Sequence, residues 1–169
     1  TDSMTINLTR ILIELAGLAK KRNGQLSLTK LSRKILGNNE ELLRQIFLTF
    51  AKKFNWAYYD GYGENQIGQF GYGFSLILLS KYGQEKRLNS FYAEKYFKAF
   101  PQLLDSVKPN YDTLERYSTN CYSIRTFDRF LDYFGLINIE KEGKEFDSNI
   151  YISKTDIYDR LIKCTPHNT

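Results

Sequence analysis

Leu15-Ala16-Gly17-Leu18-Ala19-Lys20-Lys21-Arg22-Asn23-Gly24-Gln25-Leu26-Ser27-Leu28-Thr29-Lys30 is the stretch on which the reading of this chain turns, because a second stretch repeats its order. The second runs Tyr133-Phe134-Gly135-Leu136, then Glu140-Lys141-Glu142-Gly143-Lys144, then Ile150-Tyr151-Ile152-Ser153-Lys154. In each, an apolar helix ends at a Gly, which takes the left-handed cap conformation without steric cost. A charged turn follows, then a strand alternating apolar and polar residues, then a hydroxyl–Lys pair opening another helix. Gly17 and Gly135 lie 118 positions apart, whereas Lys30 and Lys154 lie 124 apart. The extra residues therefore fall in the second hairpin, where insertion costs least.

This order of helix, hairpin and helix is the signature of a winged helix. The expected architecture is mainly α (α+β), with two winged-helix-like units carrying small β-hairpins and bracketing an aromatic helical core. The chain reads as one compact domain over 1–169: a unit at 5–37, a helical middle at 38–110, a second unit at 111–163 and a frayed tail at 164–169. Thr1 to Ile6 leaves no room for the two helices that ordinarily precede such a hairpin; either the middle of the chain supplies them or, the favoured expectation, the sequence is part of a longer protein.

Outward from the first copy, Ile6, Leu8, Ile11, Leu12 and Leu15 fit one face of a helix. Asn23-Gly24 is a two-residue hairpin turn. Leu26 and Leu28 should half-bury a strand, and Thr29 should cap a helix to Leu36. Asn38 or Asn39 opens the next helix, with Glu40 and Glu41 at its positive end and a stripe of Leu42, Leu43, Ile46, Phe47 and Phe50. Asp60-Gly61-Tyr62-Gly63 reads as a loop, and Phe70 to Tyr82 as a helix stopped by Gly83. Ser90 is placed as the cap of a helix over Phe91 to Phe100, broken by Pro101. Tyr111 to Ser118 is a further helix, Ser123 caps another to Phe134, and Ser153 with Asp156 approximates a capping box for the last.

The net charge of +5 is unevenly spread. Residues 1–53 hold ten Lys/Arg against four Asp/Glu, and residues 111–169 hold eight against ten. Attraction to phosphate therefore belongs to the N-terminal third. Its candidate contacts are Arg10, Lys20, Lys21, Arg22, Lys30, Arg33 and Lys34. In the second copy, Arg125 and Arg129, with Ser123 and Thr126 beside them, suit phosphate or guanine contact at the start of a helix. The hairpin there carries Glu140, Glu142, Glu145 and Asp147 against Lys141 and Lys144, a poor match for a phosphate backbone. The aromatic residues between Phe47 and Phe100 recur at helical spacing, which points to core packing rather than base stacking.

No catalytic pattern emerges. His167 with Cys164 makes a lone Cys-x-x-His, short of a tetrahedral site. Gly61-Tyr62-Gly63 and Gly71-Tyr72-Gly73 lack the Gly-Lys-Ser/Thr of a phosphate loop. A non-enzymatic protein is expected, with no metal and no small-molecule cofactor. Two cysteines are too few for a disulfide framework, no apolar run approaches a membrane span, and no leader opens the sequence, so the expected location is cytoplasmic. The expected partner is DNA, the alternative being a protein partner or a homodimer.

Four segments together carry a family resemblance: Leu15 to Leu18 through Leu28-Thr29-Lys30; Phe54-Asn55-Trp56-Ala57-Tyr58 with Asp60-Gly61-Tyr62; Phe97-Lys98-Ala99-Phe100-Pro101; and Tyr122-Ser123-Ile124-Arg125-Thr126-Phe127-Asp128-Arg129-Phe130-Leu131 with Phe134-Gly135-Leu136. The chain resembles the helical C-terminal region of uncharacterised bacterial proteins related to plasmid-encoded and transposon-passenger open reading frames. The resemblance implies a cytoplasmic bacterial protein with further sequence N-terminal to this segment and no assigned activity. It brings no catalytic residues with it.

Overall fold

The computed structural model describes residues 2–109, 112–143 and 148–165. The expected helix start at Tyr111, the hairpin residues Lys144, Glu145 and Asp147, and His167 of the tail lie outside the described residues. The chain is mainly helical, with two small antiparallel sheets, and forms two compact units, Thr1–Asn55 and Trp56–Thr169.

Unit 1 runs α1 (Asp2–Leu15), β1 (Ala19–Arg22), β2 (Gln25–Leu28), α2 (Lys30–Ile35) and α3 (Asn39–Lys52). Gly17, at φ 71°, ends α1: its N–H donates to Glu14 O (3.0 Å), and the Leu18 N–H donates to Ile13 O (2.9 Å). That pair of bonds is the Schellman closure, which satisfies carbonyls a helix end leaves open. Asn23 (φ 49°) and Gly24 (φ 78°) turn the hairpin, whose register sets Ala19 opposite Leu28 and Arg22 opposite Gln25. Thr29 then makes two bonds at once. Its hydroxyl donates to Gly17 O (2.7 Å) and accepts from Ser32 N (3.2 Å), clamping the hairpin base while capping α2. Asn38 caps α3 through Glu41 N. A small core of Ala16, Leu18 and Ile35, flanked by Ile13, Leu42 and Ile46, lies under these elements. Leu26 and Leu28 do not half-bury β2 as expected. Each is 47 % exposed, because a two-stranded hairpin offers no second layer to cover them.

Unit 2 opens with an irregular segment to Gly71. It continues with α4 (Tyr72–Tyr82), β3 (Arg87–Leu88), α5 (Asn89–Ala99), a 3₁₀ turn (Pro101–Leu104), α6 (Leu114–Ser123), β4 (Ile137–Glu142), β5 (Asn149–Lys154) and α7 (Asp156–Leu161). The sheet order is β3-β5-β4, all antiparallel, with Ile139 and Arg87 both opposite Ile152. Sequence reading missed β3, since two residues have no period to detect. The helix after it begins at Asn89, so Ser90 lies in the first turn rather than at the cap. The core is aromatic: Tyr96 stacks on Tyr122 (4.5 Å between ring centres), Tyr122 meets Phe127 edge-on (5.4 Å), and Trp56 packs on Phe130 (4.7 Å). Their polar ends are satisfied, Tyr122 by Ser75 Oγ (2.9 Å) and Tyr96 by Phe70 O (2.6 Å).

Ser123 does not start a helix. It sits in helical backbone, accepts a bond from Asn89 Nδ2 (3.1 Å), and α6 continues through it as a π-helical run, Ile124–Leu131. The wider winding has a packing reason. In α-helical geometry Tyr122, Thr126, Phe127, Phe130 and Leu131 would spread over about half the circumference; all five are buried here. At the end of the run Leu136 N–H donates to Leu131 O (2.9 Å) and Gly135 N–H to Asp132 O (2.8 Å), with Gly135 at φ 65°.

The closure of unit 1 is thereby reproduced. Thr155 N–H donates to Leu136 O (3.0 Å), its hydroxyl donates to Gly135 O (2.8 Å), and that hydroxyl accepts from Tyr158 N (3.3 Å) to cap α7. The counterpart of Thr29 is thus Thr155. The expected start of the last helix at Ser153-Lys154 is corrected: both residues belong to β5, and the second hairpin is longer by two further residues.

Candidate nucleic-acid interface

The basic residues of unit 1 are placed by the hairpin and the short helix that Thr29 joins. Side chains alternate across a strand, so Lys20 and Arg22 project to one side with their cross-strand neighbours Ser27 and Gln25. Lys21 projects to the other side with Leu26. On α2 the buried Ser32 and Ile35 face inward. Lys30, Arg33 and Lys34, spaced i, i+3 and i+4, therefore share the opposite, exposed side. All six cations are exposed and, among the described residues, none of them forms an ion pair. Strand, clamp and helix are consecutive, so the six form one continuous basic segment from Lys20 to Lys34.

The other three candidates fare differently. Arg10 is held on its own helix, donating to Glu14 Oε1 (3.1 Å) and Asn7 Oδ1 (3.0 Å), so half of its fork is occupied. Arg129 donates to the backbone carbonyls of Tyr58 (2.6 Å) and Tyr59 (2.8 Å) and serves to hold that loop. Arg125 is removed from the set altogether. Its side chain is fully buried and ion-paired with Asp60, whose side chain is equally buried. The guanidinium also donates to Gly63 O (2.9 Å), Asn65 O (2.8 Å), Asn65 Oδ1 (2.6 Å) and Ile67 O (3.3 Å). A planar five-donor fork suits this gathering of carbonyls, and the arginine organises the loop from Asp60 to Ile67 instead of meeting phosphate. The signal was present in the sequence: an arginine within Ile124-Arg125-Thr126-Phe127, and an Asp60 beside Gly61 that closes a turn by accepting from Tyr62 N (2.9 Å).

The second hairpin presents Glu140 and Glu142 to solvent, with Lys86 of the preceding loop paired to Glu140. Cys121 is buried beside Asn65, and burial pushes its thiol up to about 12, so it is no nucleophile at neutral pH. Among the described residues no group of His, Cys, Asp and Glu is placed to hold a metal, and no helix is long and apolar enough to cross a membrane. The arrangement offered by unit 1 is a set of cations, unpaired among the described residues, on a strand and a helix, which suits a polyanion.

Compared with known protein families, with characterised proteins and with solved structures, the chain matches none.

Proposed function

We propose that the protein is a non-enzymatic binding module of a bacterial cytoplasmic protein in which unit 1 acts as a winged-helix-like element on duplex DNA. Lys20 and Arg22, on one side of the hairpin, lie along the phosphate backbone, Lys21 adds its charge from the other side, and Lys30, Arg33 and Lys34 of α2 extend the contact. The observation that carries this reading is the absence of counter-charge. Unit 1 holds ten Lys/Arg against four Asp/Glu, and its six clustered cations are exposed and unpaired among the described residues. Cations left solvated are the ones able to displace the counterions of DNA, from which most non-specific affinity derives.

A fluorescence-anisotropy titration of the full chain against duplex DNA at ~50 and ~200 mM salt tests it. Six phosphate contacts would weaken binding by about 10³ between the two conditions. No binding at the lower salt would sink the proposal. If binding persists unchanged when Lys20, Lys21 and Arg22 are all replaced by Glu, the assigned face is wrong.

A second reading, docking of a protein partner or a second copy, draws on Leu26, Leu28 and Leu31, each more than two-fifths exposed on the same segment. Light scattering tests the second copy: a monomer at all concentrations that still binds DNA removes the homodimer.

A further inference from the structure

A cleft of about 680 Å³ opens in unit 2 between α5, the 3₁₀ turn and α6. That size falls within the range of small-molecule sites, roughly 300–1,000 Å³. Phe91 and Phe97 from α5 and Leu104 from the 3₁₀ turn supply apolar walls. Glu94 of α5 and Glu115 of α6 also line it. Both are exposed, and among the described residues neither has an ion-pair partner. Among the described residues no Lys or Arg lines the cleft; Lys95 and Arg87 lie against the Phe91 ring (4.7 and 4.9 Å) but outside the lining.

Ser118 supplies an independent observation. It lines the same cleft, is 1 % exposed, and its hydroxyl has no hydrogen-bond partner among the described residues. A hydroxyl at this point in a helix ordinarily bonds back to a carbonyl of the preceding turn. Left unpaired in a closed environment it is unfavourable, and a ligand's hydrogen-bonding group would relieve it. Two unpaired carboxylates at an apolar cleft select a cation. The walls select an organic one, since Phe91, Phe97 and Leu104 favour an apolar body and no group of three or more His, Cys, Asp and Glu gathers among the described residues to hold a metal ion.

We propose that this cleft binds a small organic ammonium ion. Its charged end sits between Glu94 and Glu115, its apolar body lies against Phe91, Phe97 and Leu104, and a hydrogen-bonding group reaches Ser118. The site is separate from the basic segment of unit 1 and does not depend on the DNA reading.

Amide NMR of the full chain, titrated in low salt with aminohexanol, hexylammonium and hydroxyhexanoate, tests each part. Aminohexanol should give saturable shifts at Glu94 and Ser118, and hydroxyhexanoate none. Replacing both carboxylates, Glu94→Gln with Glu115→Gln, should weaken aminohexanol about tenfold. These are surface changes, and an unaltered thermal melt confirms the fold. Aminohexanol should outbind hexylammonium in the native protein and lose that advantage in Ser118→Ala. Equal binding of the cation and the carboxylate, indifference to the double Gln change, or no saturation by ~10 mM overturns the site. Equal affinity for aminohexanol and hexylammonium in the native protein overturns the role of Ser118.

Discussion

Arg125 shows how much one side chain can decide. It is fully buried, its charge met by Asp60 and its remaining donors by carbonyls of Gly63, Asn65 and Ile67. Arg125→Met keeps the volume but leaves the Asp60 carboxylate buried without its charge partner, which costs about 3–5 kcal/mol. The melting temperature should fall by roughly 10 °C on that figure. Adding Asp60→Asn should recover part of the loss, and a double variant no better than the single would contradict the charge-pair account. Asp128, one turn on, tests burial with the opposite sign. Desolvation raises its carboxyl above the ordinary value, outweighing the lowering by Lys141. The folded state therefore holds this proton more tightly than the unfolded chain. The group favours folding most below the unfolded value of about 4, and that support is lost as pH rises through the raised folded value. Asp128→Asn should melt higher than the native protein at pH ~7, with the difference gone below pH ~4. A variant less stable at neutral pH would show that the carboxylate is held by interactions stronger than its desolvation.

At the scale of elements, the twin closure is the chain's most regular device. Gly17 and Gly135 end a helix by the same two bonds, and Thr29 and Thr155 clamp the Gly carbonyl while capping the next helix. Removing the hydroxyl by Thr→Val breaks both bonds. Each replacement should cost about 1–2 kcal/mol in chemical denaturation. The two losses should be similar because the bond lengths agree closely. A loss at one site only would mean that the hairpins are held by different means. This device was legible in the sequence as far as its glycines, since a left-handed cap demands that residue. Its second threonine was not, because Ser153 offers the same hydroxyl two residues earlier. Only pairing of β5 with β4 assigns Ser153 to the strand and Thr155 to the cap. The π-helical run was equally hidden, for a helix is read with one assumed period. Here Ser123, a good cap by type, is spent instead on Asn89.

For the molecule as a whole, the decisive quantity is where charge resides. Unit 1 carries the chain's entire excess of cations, whereas unit 2 holds fourteen Lys/Arg against fifteen Asp/Glu. Replacing Lys20, Lys21 and Arg22 by Glu cancels the net charge of unit 1, so the steep salt dependence expected for duplex binding should vanish with it. The amino-acid sequence by itself determined the helical content, the two hairpins, the aromatic core and the basic N-terminal third. Each of these depends on local spacing, cap chemistry or composition, which neighbours in the chain express without help. Tertiary structure alone decided which cations stay free. Lys20 and Arg125 are the same kind of residue to a sequence pattern. Lys20 lies exposed on a two-stranded hairpin, whereas Arg125 meets a loop some sixty residues earlier whose carbonyls and Asp60 neutralise it. Burial is set by such long-range contacts, and so, therefore, was the difference between a structural arginine and a solvated lysine.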